Sequence, residues 1–168
     1  MQKELTGLYS KRQFKVLNHV RLKRGESGES YCIAAFTLTN LDEIISSMGH
    51  DAAQEVIHSM GVYIDKHFGA IGGFSTRRKS NEFITVLPFS KLEETESILK
   101  EFVNDFQERG IRNIWAGAQK QVPSEKCVDF SIRAGIAQGQ PTAEIDQVID
   151  SARSQQKEIG RLQCAVGE

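Results

Sequence analysis

Gly69-Ala70-Ile71-Gly72-Gly73-Phe74-Ser75-Thr76 and Glu82-Phe83-Ile84-Thr85-Val86-Leu87-Pro88 flank the segment Arg77-Arg78-Lys79-Ser80-Asn81. The flanks are rich in β-branched and aromatic residues, so they read as two strands, and the basic segment between them as the tip of a hairpin. Five residues at the tip are more than a tight hairpin requires. Asn81 can occupy the left-handed region that such a turn demands.

Working outward, Tyr31 to Leu38 is almost wholly apolar and β-rich, as a central strand covered on both faces would be. Ser10, with Gln13 three residues on, has a capping-box pattern and opens a helix through Phe14, Leu17 and Val20. Helical spacing returns at Ala53, Val56, Ile57, Met60 and Ile64. A further stripe comprises Leu92, Ile98, Leu99, Phe102, Val103 and Phe106; Glu93, Glu94 and Glu96 suit its positive N-terminal end and Gly110 its exit. Phe130 to Gln138 reads as a strand and about Ala143 to Ile159 as a last helix. This order predicts an α+β sandwich, a mostly antiparallel sheet flanked by helices. The chain's 168 residues supply one core, hence one domain over residues 1–168.

Composition excludes more than it assigns. The net charge is −1, so no global field recruits nucleic acid or an anionic membrane. Cys32, Cys127 and Cys164 are odd in number and lack a Cys-x-x-Cys pair, which argues against a disulfide framework or a zinc site and suits a reducing cytoplasm. No apolar run approaches the length of a membrane span, and the first residues lack a signal-peptide core. His19, His50, His58 and His67 show no ligand spacing, and Trp115 sits in an apolar stretch expected in the core.

Arg77 to Phe83 resembles the Arg-Tyr-Gly-Gly-Asp-Glu-Phe turn of diguanylate cyclases, with both glycines and the first acid replaced. Five other regions carry the same resemblance in order, among them Ile84-Thr85-Val86-Leu87-Pro88, which is similar to the family's exit strand after the turn. Leu5-Thr6-Gly7-Leu8-Tyr9-Ser10-Lys11-Arg12 is similar to the family's opening segment, and Met48-Gly49-His50-Asp51 to its Tyr-Gly-His-Asp. Phe130 to Ala137 is similar to its Val-Ser-Ile-Gly-Ile-Ala strand, and Lys157-Glu158-Ile159-Gly160-Arg161 to its closing Lys-x-x-Gly-Arg. The chain is identified as a degenerate member of the GGDEF family, whose palm-like sandwich is the fold expected from the pattern.

The resemblance also implies which positions would work. In an intact domain, two divalent cations held by carboxylates promote the joining of two GTP molecules. The metal positions fall on Thr37, Asn81 and Glu82, with Thr39 in place of a second aspartate near Thr37; the turn glycines fall on Lys79 and Ser80. The guanine-reading positions fall on Ile45 and Gln54, and Ile45 cannot hydrogen-bond. The Arg-x-x-Asp of product inhibition falls on Ala70-Ile71-Gly72-Gly73. Lys157 and Arg161 match triphosphate contacts; they read either as such an anion pocket or as cations at a helix C-terminus. Arg77, Arg78 and Lys79 read as a solvated tip or a partner-facing patch, and Glu82 as a solvent-pointing strand residue or a metal ligand.

The expected function is therefore a catalytically inactive regulatory or protein-interaction domain in bacterial signalling, cytoplasmic, with a protein partner or self-association, and without cofactor, nucleic acid or membrane. The alternative is a residual nucleotide-binding domain or weak cyclase that uses Glu82, Lys157 and Arg161 with magnesium.

Overall fold

The computed structural model describes residues 30–88, 90–120, 128–140 and 143–163. The helix expected from Ser10, and the opening motif around Leu5, lie outside them. β1 (Tyr31–Leu38) is followed by α1 (Leu41–Met48) and α2 (His50–Gly69), separated by Gly49 at φ 95, which favours a residue without Cβ. β2 (Phe74–Lys79) and β3 (Glu82–Leu87) form the hairpin. α3 (Leu92–Asp105) runs through a π-helical turn (Phe106–Gly110) into α4 (Ile111–Gln119). β4 (Phe130–Gly139), α5 (Ile145–Ser154) and β5 (Lys157–Leu162) close the order.

The strands make one five-stranded sheet in the order β2-β3-β1-β4-β5, with every pairing antiparallel. β1 sits at its centre, and its side chains alternate between two packed layers. Cys32, Ala34, Phe36 and Leu38 face α2, α3 and α4, where Phe36 lies 5.6 Å from Phe68 and 5.4 Å from Phe102, centroid to centroid. Such aromatic burial is worth about 2–3 kcal/mol per ring. Tyr31, Ile33 and Ala35 face α5, with Val148, Ile149 and Ala152. Trp115 is buried on α4 against Phe130. His67 packs edge-on against Phe102, with Asp105 beside it.

Four local expectations are corrected. The stretch from Gly69 does not start a strand: α2 continues through Gly69, and β2 begins only at Phe74. The hairpin tip is two residues, Ser80 and Asn81, because β2 extends to Lys79 by means of a bulge at Arg78. Gly110 ends nothing; its φ of −58 is helical, and a Cβ there would meet Tyr63 Cζ at 2.8 Å, so it marks a close helix contact. The last helix stops at Ser154, and the chain reverses into β5, because Ile159 and Gly160 are needed against Phe106 and Ile111 in the core.

Candidate functional site at the hairpin turn

The β1–β3 register sets Thr37 directly opposite Glu82, on the sheet face that α5 covers. Period-2 alternation alone would allow Glu82 to point to solvent. Instead it is 4% exposed, which a carboxylate tolerates only when paired. Its partner is Arg153, one residue before the end of α5. Arg153 Nε donates to Glu82 Oε2 at 2.8 Å and Nη2 to Oε1 at 2.6 Å, a two-pronged pair that occupies both carboxylate oxygens. A third bond runs from Arg153 Nη1 to Asp150 Oδ1 at 2.7 Å. The Glu82 carboxylate holds the Arg153 guanidinium above its already high range.

The neighbouring positions are equally engaged. Gln156 Nε2 donates to Thr37 Oγ1 at 2.9 Å and to Ala35 O at 3.2 Å. Thr39 Oγ1 accepts from Ser131 N at 3.0 Å, which ties the end of β1 to β4. Asn81 Nδ2 donates to Leu38 O at 3.0 Å, while Leu38 N donates to Asn81 O at 2.9 Å. Neither Ser80 nor Asn81 takes a positive φ, so this turn has no need of glycine, and Asn81 does not use the left-handed region. The tip is also fastened down: Arg77 Nε donates to Ser80 O at 3.2 Å, and Arg78 Nη2 to Asp146 Oδ1 of α5 at 2.9 Å.

Magnesium needs free hard oxygens, several of them anionic. Here the Glu82 carboxylate already holds a guanidinium through both of its oxygens, Thr37 is bound by an amide, and Asn81 presents a donor. As placed, these residues do not fit the ion. Among the described residues no three His, Cys, Asp or Glu side chains converge on one point.

Asn81→Asp gives a direct check on the turn. It would replace the donor to Leu38 O with a carboxylate oxygen, acceptor against acceptor. The expected loss is about 1–3 kcal/mol, read as a lower urea midpoint. An unchanged midpoint would mean that the amide bond to β1 contributes nothing.

Between the β1–α1 junction and the turn lies a cavity of about 480 Å³, lined by Asn40, Leu41, Asp42, Glu43, Ser80 and Asn81. Its charged walls are both negative. Asp42 and Glu43 stand in the first turn of α1, so the helix end that could greet a phosphate is already met by the chain's own carboxylates. Ile45 is half-buried against the core and Gln54 is exposed on α2.

Lys157 and Arg161 lie on β5, not on a helix terminus. Four residues apart on a regular strand they would share a face. A bulge at Ile159 changes the parity: Lys157 pairs with Ala134 on the α3 face, and Arg161 with Ser131 on the α5 face. They do not converge on one anion. Arg161 Nε donates to Glu158 Oε1 at 2.9 Å, and this guanidinium holds the Glu158 carboxyl below its usual range. Arg153 and Gln156 are the residues that sequence reading missed. The three-residue spacing of Asp150 and Arg153 was the available signal, but nothing in the sequence aims that arginine at Glu82.

A five-stranded antiparallel sheet with α-helices on both faces and a hairpin turn beside its central strand defines a palm-like α+β domain. The family model for the diguanylate cyclase GGDEF domain matches residues 2–162. The chain therefore belongs to the GGDEF family.

Solved structures agree on the fold. The GGDEF domain of DgcB from Caulobacter crescentus, in complex with c-di-GMP, is 18% identical with a TM-score of 0.70, the match covering 91% of this chain and 85% of that one. The FimX GGDEF domain from Pseudomonas aeruginosa is 14% identical, with a TM-score of 0.70 and coverage of 92% and 90%. The diguanylate cyclase SiaD of the same organism, in complex with its activator SiaC, is 19% identical, with a TM-score of 0.66 and coverage of 92% and 55%. No curated protein matches the chain significantly. No helix among the described residues is long and apolar enough to cross a membrane.

Proposed function

We propose that this GGDEF-family domain is a catalytically silent regulatory or protein-interaction module of bacterial cyclic di-GMP signalling, working in the cytoplasm without metal or nucleotide cofactor. The observation that carries this reading is the Arg153–Glu82 pair: the retained acid of the turn is neutralised from within. Metal would have to displace a guanidinium bound at two points, and among the described residues no group of three His, Cys, Asp or Glu side chains stands ready to hold it. Losing even about 4 kcal/mol of charge stabilisation lowers a rate roughly a thousandfold. A relative in this family is known with an activator protein, SiaC, and such a protein partner, or a second copy of this domain, is the occupant this reading requires.

The nucleotide-handling alternative asks Glu82, Lys157 and Arg161 to act together, and their placement does not support it. Melting in GTP with magnesium tests the choice. A ligand at 100 times its Kd stabilises the fold by about 2.7 kcal/mol, roughly 5–10 °C for a domain of this size. The expected shift is none, and one of several degrees would favour the alternative.

A further inference from the structure

Arg153 holds two carboxylates, not one. Nε and Nη2 serve Glu82 and Nη1 serves Asp150, so two anions flank a single guanidinium. Their settings differ. The Glu82 side chain comes from the sheet and is 5% exposed, whereas Asp150 lies three residues before Arg153 on α5 and is 70% exposed. Asp146, one turn earlier on α5, is taken by Arg78 at 2.9 Å. One guanidinium against two carboxylates leaves the cluster with a net negative charge.

Further oxygens stand on the same face of the sheet. Thr37 lies opposite Glu82 in the β1–β3 register, with its hydroxyl bonded to the Gln156 amide. One pairing row further along, Thr76 lies across from Ile84, which packs on the α5 side. The Thr76 hydroxyl is buried and has no hydrogen-bond partner among the described residues. Two carboxylates, a facing hydroxyl and an orphaned buried oxygen are hard ligands of the kind that surrounds a divalent cation. Here the cation between the carboxylates is a side chain.

We infer that Arg153 is a tethered cation seated in a latent divalent-ion site whose carboxylates are Glu82 and Asp150. The planar guanidinium suits the place, because its fork binds Glu82 at two points while a third nitrogen reaches Asp150, a geometry that a lysine ammonium does not reproduce. Being covalently attached, this cation is present in every folded molecule whatever the ion supply. It therefore keeps α5 clamped to the hairpin without metal, as an interaction module needs. Removing the guanidinium leaves Glu82 buried and uncompensated beside Asp150, and a divalent ion with its waters balances both charges. This inference deepens the silent reading proposed above and rests on it.

Manganese titration of the full chain tests it, with binding followed by electron paramagnetic resonance of the free ion and by melting. The parent is expected to bind none through Glu82. Arg153→Ala and Arg153→Asn should each bind one ion with a Kd below about 1 mM, the weak end of protein calcium sites. At ten times that Kd they should melt roughly 3–6 °C higher than without manganese. A variant that is unfolded in buffer should regain its native circular dichroism with manganese, but not with sodium at matched ionic strength. Adding Glu82→Gln or Asp150→Asn to Arg153→Ala should weaken binding at least tenfold. No response to manganese in either Arg153 variant overturns the inference and leaves catalytic silence standing, as does binding that survives both carboxylate changes. Manganese bound by the parent and lost in Glu82→Gln overturns both readings.

Discussion

Arg153→Met is expected to remove about 3–5 kcal/mol of folding stability, because it strands the buried Glu82 carboxylate without its counterion. For a chain of this length that corresponds to a melting temperature lower by roughly 6–20 °C. Methionine keeps much of the arginine stem, so the lost volume is small and the effect reports the missing charge. The pair itself need not be worth that much. Removing both partners in Arg153→Met/Glu82→Met should restore stability to within about 1 kcal/mol of the parent, since well-packed apolar replacements of buried ion pairs are often neutral. Chemical denaturation of the single and double variants measures the coupling. A single variant that loses less than about 1 kcal/mol would show that Glu82 is not held by Arg153.

Gly135→Ala is the second large effect. A Cβ at Gly135 would stand 2.2 Å from Ala152 O and 2.7 Å from Gln156 N, both backbone atoms at the C-terminal end of α5. No side-chain rotation relieves that contact, so α5 must lift from the sheet. The expected loss is about 3 kcal/mol or more, at the upper end of overpacking effects. The consequence also reaches the turn. Arg153 and Gln156 bracket this close approach and are the residues that engage Glu82 and Thr37. Combining Gly135→Ala with Arg153→Met should therefore destabilise by less than the sum of the two. By contrast, Gly117→Ala on α4 meets only the Glu55 side chain, at 3.3 Å, and should gain up to about 1 kcal/mol of helix propensity.

How far the sequence anticipates this molecule depends on how local the deciding interaction is. β1 and the stripe from Leu92 to Phe106 are legible because burial imposes a period that needs no knowledge of partners. The hairpin is legible for the same reason, although its bulge at Arg78 is not. The end of α5 is not legible, because Lys157 to Arg161 carries no helix breaker until Gly160 and only the core contact of Ile159 reveals a strand. The site divides in the same way. That Thr37 and Asn81 offer no carboxylate can be read from the residues alone. That Asn81 is a donor to Leu38, and that Lys157 and Arg161 fall on opposite faces, depends on register and on one extra residue in a ladder. The Arg153–Glu82 pair joins residues 71 apart, a separation that no local pattern encodes.

The most direct measurement is turnover. Purified protein incubated with GTP and magnesium or manganese, with products separated by chromatography, is expected to yield no cyclic di-GMP above a protein-free control. Steady accumulation of the cyclic dinucleotide that is lost in Glu82→Gln would contradict the account, because it would show the turn's carboxylate serving a metal rather than Arg153.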